Sequence, residues 1–288
     1  MLFKKVGEQL STLLKENLTD GEYQWLFSKL DQIISGESVK ELYLTYSLIP
    51  SKIGAVNALL IEISDGELKE YLLRQEANIW QLARIFLLVR VLEEKPEFFR
   101  PKVANIIQVA DTGELETFLK FLVLLPDPEN YRSQAVEALR TNIGTVFNAV
   151  ALHNPYPALY FNDQQWNQMY LKAAFMQQDL MGILSVDQRA NKDLVRIISD
   201  YAHERWAASR EIDPYFWRPV SQFLDGQLIG DMEKLFQSDN VLEKRAAALC
   251  CHASPFPGAK VLLNKYPELK REIDKGGLDW ESLRSGIS

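Results

Sequence analysis

Apolar side chains recur at three- and four-residue spacing along most of the chain, and this spacing is the strongest constraint on its fold. In the first segment the apolar positions form one helical face, made of Leu2, Val6, Leu10, Leu13 and Leu14. Glycine and proline separate the successive segments. No two runs of alternating polar and apolar residues flank an Asn-Gly or Asp-Gly turn, so the sequence has no β-hairpin signal. The pattern therefore predicts an all-α protein.

The predicted helices follow one another from end to end of the chain. They cover residues 2–16, 20–35, 38–50, 53–63, 67–75, 77–93, 97–110, 114–125, 129–150, a segment that starts at 162 or 163, 192–209, 214–224, 227–237, 240–252 and 256–273. Residues 53–63 are rich in branched side chains and also fit a short buried strand. Residues 187–191 are predicted to form a polar turn, and the tail after Gly277 is expected to be loose.

One part of the sequence is echoed later in the chain. A predicted helix ends at His153 before Pro155-Tyr156-Pro157, and another ends at His252 before Ser254-Pro255-Phe256-Pro257. Such an echo fits a stack of helix pairs in which each unit buries its apolar face on its neighbours. We therefore expect one domain, residues 1–288, folded as a right-handed α-α superhelix of HEAT-like stacked helical hairpins. Its expected parts are residues 1–126, residues 127–275 and a loose tail at 276–288.

The net charge indicates which partners the protein can bind, and the cysteines indicate its cellular compartment. A net charge of −7 opposes binding to nucleic acid, where affinity depends on many Lys and Arg contacts to phosphate. Cys250 and Cys251 are adjacent, a spacing at which a disulfide rarely forms. Two buried thiols on a helix fit a reducing compartment. We therefore expect a cytoplasmic protein that has no nucleic-acid partner.

The most apolar run of the sequence, residues 79–92, predicts a buried core helix. Gln81, Arg84 and Arg90 interrupt the run, which is also shorter than the ~20 apolar residues of a membrane-spanning helix. The N-terminal residues lack the unbroken apolar core of a secretory signal. We expect a chain that does not span a membrane.

Residues 153–210 concentrate the aromatic and hydrogen-bonding side chains that suit a binding site. The two prolines after His153 fix two φ angles, remove two backbone donors and hold the residues before them extended. The stiff turn should present His153, Asn154 and Tyr156 in fixed directions. A structural role is the alternative, because a histidine at a helix end also interacts with the last carbonyls and the negative end of the dipole.

Aromatic residues follow this turn. Tyr160 and Trp166 either form a wall for a flat or isoprenoid ligand or belong to the core, where large rings contribute through burial. Asn167 and Lys172 lie on other faces of the helix that carries Trp166, where a lysine is usually solvated. All four are candidate ligand-binding residues.

The helix around residue 200 carries a dense polar cluster. Asp200 is predicted to pair with Arg196 one turn earlier and to meet His203 and Glu204 one turn later. The cluster could prepare His203 for general acid–base chemistry, with Asp200 or Glu204 orienting it. The alternative is a solvated, ion-paired helix face, where each pair contributes about 0.3–0.5 kcal/mol.

Aromatic and cationic residues flank the same helix face. Tyr201, Arg205 and Trp206 favour a buried network over a solvated surface. Arg205 or Arg210 could bind an anionic substrate through charge-assisted hydrogen bonds. These residues complete the candidate site on this helix.

The sequence indicates no metal or cofactor. His153, His203 and His252 fall in three separate helical units and do not form the two-histidine helix motif of metalloproteases. The sequence contains neither a phosphate-cradling glycine-rich loop nor a nucleophile elbow.

A set of short motifs in the second half of the chain resembles the EboA family. The motifs are His153-Asn154-Pro155-Tyr156-Pro157, Tyr160-Phe161, Trp166-Asn167-Gln168-Met169, Lys172-Ala173, Asp187-Gln188-Arg189-Ala190-Asn191 and Asp200-Tyr201-Ala202-His203-Glu204-Arg205-Trp206. The resemblance covers roughly residues 130–255. It adds Asp187 and Arg189 to the candidate ligand-binding residues.

The resemblance implies a cytoplasmic accessory protein of bacteria and some algae that acts in the biosynthesis or trafficking of a prenylated secondary metabolite. The implied partners are a small metabolite or enzymes of the same pathway, including contact with a membrane prenyltransferase. The resemblance implies no catalytic residues.

Three functional hypotheses follow. The one we favour is a non-catalytic protein that binds a metabolite or a partner enzyme through residues 153–210. The second is an enzyme of unknown reaction with His203 as general acid or base. The third is a scaffold, which requires a large exposed apolar patch instead of a pocket. The binding hypothesis requires the turn after His153 and the helix around Asp200 to enclose one hollow.

Overall fold

The computed structural model describes residues 3–55 and 59–284. Every regular element in these residues is a helix, and none is a strand, which confirms the all-α prediction. The chain divides into two compact units, Met1–Tyr160 and Phe161–Ser288. The predicted superhelical arrangement and the predicted domain limits remain predictions.

The first unit contains eleven α-helices among its described residues. They are α1 (Val6–Asn17), α2 (Asp20–Gly36), α3 (Val39–Lys52), α4 (Gly66–Arg74), α5 (Ile79–Glu94), α6 (Pro96–Ala104), α7 (Ile106–Val109), α8 (Thr112–Lys120), α9 (Arg132–Ala138), α10 (Gly144–Ala151) and α11 (Tyr156–Tyr160), with 3-10 turns at Leu122–Leu124 and Pro128–Tyr131.

Helix α5 is the centre of the first unit and packs against α1, α2, α3, α6 and α8. Its side chains from Ile79 to Leu92 are buried with few exceptions, so the prediction of a buried core helix at 79–92 is confirmed. Arg84 is only 7% exposed, and its Nε donates a hydrogen bond to the carbonyl of Tyr46. Its guanidinium lies 3.7 Å from the carboxylate of Glu114, so the buried charge is paired.

A helix that crosses a membrane must be both long and apolar. None of the helices of residues 3–55 and 59–284 combines the required length and apolar character.

The second unit contains seven α-helices in its described part. They are α12 (Asp163–Phe175), α13 (Val186–Arg189), α14 (Lys192–Ala207), α15 (Ile229–Gln237), α16 (Val241–Ala253), α17 (Pro257–Leu263) and α18 (Pro267–Asp274), with 3-10 helices at Leu180–Gly182 and Pro214–Phe223. Helix α16 is central, because it packs against the 3-10 helix Pro214–Phe223 and against α15, α17 and α18.

Cys250 and Cys251 lie on α16 as buried free thiols, which confirms the expected burial and the absence of a disulfide between them. The Cys250 thiol donates a hydrogen bond to the carbonyl of Trp217. Burial raises the pKa of the Cys250 thiol above its ordinary value and raises that of Cys251 to about 12.

Residues 53–63 were predicted to form a helix, and the structure corrects this over its described part. Residues 53–55 and 59–63 are not helical, and residues 56–58 lie outside the described part of the chain. The backbone of Leu60 instead exchanges two hydrogen bonds with the Asn17 side chain, each at 2.8 Å. The indole of Trp80 donates to the carbonyl of Ile53. Because side chains of neighbouring helices satisfy this backbone, the segment does not need helical hydrogen bonds.

The long helix predicted for 129–150 is also wrong. The structure has a 3-10 turn, then α9 and α10, with a break between Ala138 and Gly144. In this break the Thr141 hydroxyl accepts a hydrogen bond from the amide of Ile143, a local bond that competes with the helix. The helices predicted at 97–110, 114–125 and 256–273 are likewise each divided in two. Residues 186–189 form the short helix α13 where a polar turn was expected.

The tail was expected to be loose from residue 276, but it packs against the second unit as far as residue 284. Leu278 and Leu283 are buried. The carbonyl of Leu283 accepts a hydrogen bond from Arg245, and Arg284 pairs with Asp213. Residues 285–288 lie outside the described residues.

Candidate functional site

The proline turn lies in the first unit, and its polar groups are used within that unit. The carbonyl of His153 accepts a hydrogen bond from Gln75, and the exposed His153 has a φ of 54°. Asn154 is 2% exposed, and its amide donates to the carbonyl of Ala149 at 2.8 Å. Its side-chain oxygen accepts a hydrogen bond from the amide of Tyr156. The geometry gives Asn154 a clear structural role in shaping the turn.

The Tyr156 hydroxyl donates to the carbonyl of Pro128 at 2.7 Å, and its ring lies 4.8 Å from that of Tyr160. Burial raises the pKa of the Tyr156 hydroxyl above its ordinary range. Tyr156 is therefore held neutral and inside the first unit.

The remaining candidate residues lie in the second unit, where α12 and α14 form the framework of a site. Asn162 caps α12 in a capping box with Gln165, as the cap position predicts. Asn167 and Asn191 exchange two amide hydrogen bonds, at 3.0 and 2.9 Å. Asn191 also caps α14 by accepting a hydrogen bond from the amide of Leu194. The amide pair thus joins the second turn of α12 to the N-cap of α14.

Trp166, Arg189 and Asp187 lie beside this framework. Trp166 is 1% exposed and belongs to the core, with the Arg189 guanidinium 4.9 Å from its ring centroid. Arg189 also donates to the carbonyl of Phe161. The Asp187 carboxylate accepts two hydrogen bonds from Arg218, at 3.0 and 2.6 Å. These contacts hold α13 in place within the second unit, directly before the start of α14.

The predicted polar cluster on α14 has a different partner from the one expected. His203 Nε2 lies 2.6 Å from the carboxylate of Asp231 on α15. Asp231 is 5% exposed, and its other oxygen accepts a hydrogen bond from Ser199. Asp231 therefore replaces Asp200 and Glu204 as the carboxylate that orients His203. A residue 28 positions away gives no helical-spacing signal, so sequence reasoning missed it.

The predicted pair between Arg196 and Asp200 is wrong. Arg196 lies 3.9 Å from Asp193, on the preceding turn, and both side chains are exposed. Asp200 is exposed as well. This face of α14 matches the solvated alternative, in which ion pairs contribute little.

The guanidinium of Arg205 donates two hydrogen bonds to the carbonyl of Glu211, which follows the end of α14. It also lies 5.9 Å from the ring centroid of Tyr201. The hydrogen bonds to the carbonyl and the contact with the ring together fix the orientation of the guanidinium plane.

The ends of α12 and α14 form a cleft of about 570 Å³, here named the principal cleft. Its lining residues are Gln168, Leu171, Lys172, Phe175, Tyr201, Glu204, Arg205 and Arg210. In each helix segment the member of the amide pair, Asn167 or Asn191, precedes the residues that line the principal cleft. The principal cleft brings four of the predicted ligand-binding residues together: Lys172, Tyr201, Arg205 and Arg210.

One wall of the principal cleft is apolar and unusually exposed. Leu171 and Phe175 are one turn apart on α12, and Phe175 is 72% exposed. Sequence reasoning missed these two residues and Gln168, although their spacing with Lys172 places all four on one helical face. The helical spacing of these four residues was visible in the sequence, but only the position of α14 shows that this face lines a cleft.

The principal cleft is also cationic. Lys172, Arg205 and Arg210 face a single carboxylate, that of Glu204, among its lining residues. Lys172 and Arg205 lie in the last turns of α12 and α14, where they also complement the negative helix ends. Desolvation lowers the pKa of the Lys172 ammonium from its usual value. The Arg210 side chain makes no hydrogen bond or ion pair to any residue that the structure describes.

His203 does not line the principal cleft. The ring of Trp206 stacks on Trp217 at 5.6 Å, and the Lys234 ammonium lies 4.1 Å from its centroid. Trp206 lines, with Arg210, a separate open hollow of about 730 Å³.

No group of three His, Cys, Asp or Glu residues able to hold a metal ion occurs in the described parts of the chain.

A family model described as "Metabolite traffic protein EboA" matches residues 6–221. The match includes the first half of the chain, which the motif resemblance did not cover, and it ends before α15. All residues that line the principal cleft lie inside it. No curated protein matches the chain. No solved structure matches it either.

Proposed function

Because the chain belongs to the EboA family, described as metabolite traffic proteins, we propose that it binds a small metabolite in the principal cleft without transforming it. The observation that carries the proposal is the pairing of an exposed apolar wall, Leu171 and Phe175, with three cationic side chains in one cleft. This combination favours an amphipathic anion, with an apolar chain at one end and an acidic group near it.

The size and composition of the principal cleft support this ligand class. A volume of about 570 Å³ falls within the range of small-molecule sites. An apolar chain lying on Phe175 would remove an exposed ring from water, which stabilises by about 25 cal/mol per Å² of apolar area covered. The prenyl chain implied by the family resemblance suits this wall.

The cations support recognition of an acidic group at fixed positions. The Arg205 guanidinium is already held by the Glu211 carbonyl and the Tyr201 ring, so little side-chain entropy is lost when an anion binds beside it. Arg210 adds a second guanidinium from outside the helix. The groups therefore suit ligand binding more than catalysis, since no histidine, cysteine or serine of the described residues lines the principal cleft.

The finer parts of the proposal rest on the resemblance. We place the protein in the cytoplasm as an accessory to the biosynthesis or trafficking of a secondary metabolite, in contact with enzymes of the same pathway, including a membrane prenyltransferase. The hollow between the turn after His153 and α14 would involve both compact units and remains a prediction.

An enzymatic function is the second candidate, and the contact between His203 and Asp231 favours it. An exposed imidazole 2.6 Å from a buried carboxylate is a general acid–base arrangement. Here His203 would exchange the proton, Asp231 would orient the ring, and Arg205 or Arg210 would bind an anionic substrate. In this case His203→Gln would stop turnover of an acidic metabolite, whereas in a binding protein it would leave ligand affinity unchanged.

The proposal is tested by calorimetric titration with dodecyl phosphate below its micelle concentration. Phe175→Asp should weaken binding by about tenfold or more, because it removes an apolar contact of about 1.5–3 kcal/mol and adds a like charge. Val261→Asp on α17 is the matched control, because Val261 is 64% exposed and lies outside the principal cleft. Dodecyltrimethylammonium, which has the opposite charge, should bind more weakly than the phosphate. Equal affinity of Phe175→Asp and the unmodified protein for dodecyl phosphate would overturn the proposal.

A further inference from the structure

A second hollow of about 400 Å³ adjoins the principal cleft and is here named the polar pocket. It is lined by Ala174, Gln177, Gln178, Tyr201, Arg205, Glu211, Ile212, Asp213, Pro214, Asn240, Leu242 and Arg284. Tyr201 and Arg205 belong to both linings, so these two side chains form the wall between the two spaces. A ligand that reaches past this wall would occupy both.

The charges of the polar pocket are balanced, unlike those of the principal cleft. Arg284 pairs with Asp213 at 3.0 Å. The other guanidinium, that of Arg205, has a carboxylate counterpart in Glu211 among the lining residues. The two cations and two carboxylates of the lining give the polar pocket a net formal charge of zero. The polar pocket therefore does not attract ions of either sign, and it favours a neutral group.

Several hydrogen-bonding groups of the polar pocket have no partner among the described residues. The Gln177 amide and the Glu211 carboxylate make no side-chain hydrogen bond there. The Asn240 side-chain oxygen caps α16 by accepting from the amide of Leu242, which leaves its amide nitrogen to donate elsewhere. These groups supply donors and acceptors to one pocket, which Tyr201 also lines.

A hydroxyl group both donates and accepts, so neighbouring hydroxyls on a ring match a mixed set of amides and carboxylates. The C–H face of such a ring also packs on an aromatic surface. We propose that the polar pocket binds the neutral, hydroxyl-rich ring of a sugar or another cyclic polyol. Resting on the proposed function, this inference makes the polyol part of the amphipathic anion that the principal cleft holds.

Two lysophospholipids with the same myristoyl chain provide the test. Lysophosphatidylinositol and lysophosphatidylglycerol both carry one phosphodiester charge, but only the first carries a cyclic polyol. The unmodified protein should bind the inositol lipid about tenfold more tightly in calorimetric titrations, as expected for about two additional hydrogen bonds. The double variant Gln177→Gly and Asn240→Ser should reduce this preference to less than about twofold, since it removes both amides.

The double variant is chosen to preserve the fold. Gln177 has a φ of 55°, which glycine adopts readily, and serine keeps a capping oxygen at position 240. Phe175→Asp is the matched variant of the principal cleft, and it should weaken both lipids while keeping the preference. Equal affinity of the unmodified protein for the two lipids, with Phe175→Asp still weakening both, would overturn the polyol inference and leave the proposed function intact. Failure of both lipids to bind would overturn the polyol inference and the proposed function together, and failure of the inositol lipid alone would overturn the polyol inference.

Discussion

The guanidinium of Arg205 holds the backbone carbonyl of Glu211 with two hydrogen bonds, from Nε at 3.0 Å and from Nη2 at 2.6 Å. The contact spans the end of α14 and a turn in which Ser209 has a φ of 54°. It ties the chain after the helix to the helix itself. Because Arg205 also lines both the principal cleft and the polar pocket, the same contact positions a charge that ligands would meet.

Replacing Arg205 with lysine should therefore affect ligand binding and stability together. A lysine keeps the charge but cannot donate two parallel hydrogen bonds to one carbonyl. We expect the free energy of unfolding to fall by about 1 kcal/mol and the affinity for dodecyl phosphate to fall about threefold to tenfold. Arg196→Lys on the exposed face of the same helix is the matched control. Identical behaviour of the two variants in urea unfolding and calorimetry would show that the bidentate contact contributes nothing.

Replacing Asn154 with alanine should destabilise the first unit. Its buried amide bonds the carbonyl of Ala149 and the amide of Tyr156, and alanine leaves those groups without partners. We expect a loss of about 2–4 kcal/mol in urea unfolding. His153→Gly is the informative neighbour, because glycine relieves a φ of 54° and should be neutral or slightly stabilising. If Asn154→Ala unfolds like the unmodified protein but loses ligand, Asn154 belongs to a binding site after all.

The two adjacent thiols should be unreactive in the folded protein. Burial raises the pKa of both, to about 12 for Cys251, so neither forms a thiolate near pH 8. A disulfide exchange reagent such as 5,5′-dithiobis(2-nitrobenzoic acid) should label both thiols only after guanidinium is added. Rapid labelling of the native protein at pH 8 would contradict the burial of α16.

The same shifts predict the direction of the pH dependence. A group whose pKa is higher in the folded than in the unfolded state stabilises the fold below the unfolded pKa, and that stabilisation is lost as pH rises. Unfolded thiols ionise near pH 8.5. The pKa values of Tyr46, Tyr71 and Tyr170 are also raised by burial, so their contribution is lost above about pH 10. The melting temperature should therefore fall steadily above about pH 8.5, and a flat profile to pH 11 would refute this.

Local signals in the sequence were sufficient wherever a few neighbouring residues determine the structure. Asn162 and Gln165 form the capping box of α12, and the limits of α14 differ from the prediction by two residues at its end. The buried helix at 79–92 follows from its apolar run. Breaks inside apolar runs were harder to predict. In the turn between Ala138 and Gly144, local side-chain hydrogen bonds replace those of a continuous helix, and the two arrangements differ little in free energy.

The contacts of the candidate site depend on distant parts of the chain. Helical spacing placed Asp200 near His203, but the carboxylate that reaches the imidazole is Asp231 on α15. Leu171 and Phe175 are four residues apart and so share one helical face, yet nothing in the sequence shows that α14 lies beside that face. Sequence reasoning therefore found the cationic residues of the principal cleft and missed its apolar wall.

The amide pair of Asn167 and Asn191 has a consequence for how the protein ages. Each amide presents its nitrogen to the oxygen of the other, at 3.0 and 2.9 Å. Deamidation of either residue would replace that nitrogen with oxygen, and two acceptors would then repel each other across a part-buried gap. A single slow hydrolysis at this position would thus weaken the contact between α12 and the start of α14, the two helices that line the principal cleft.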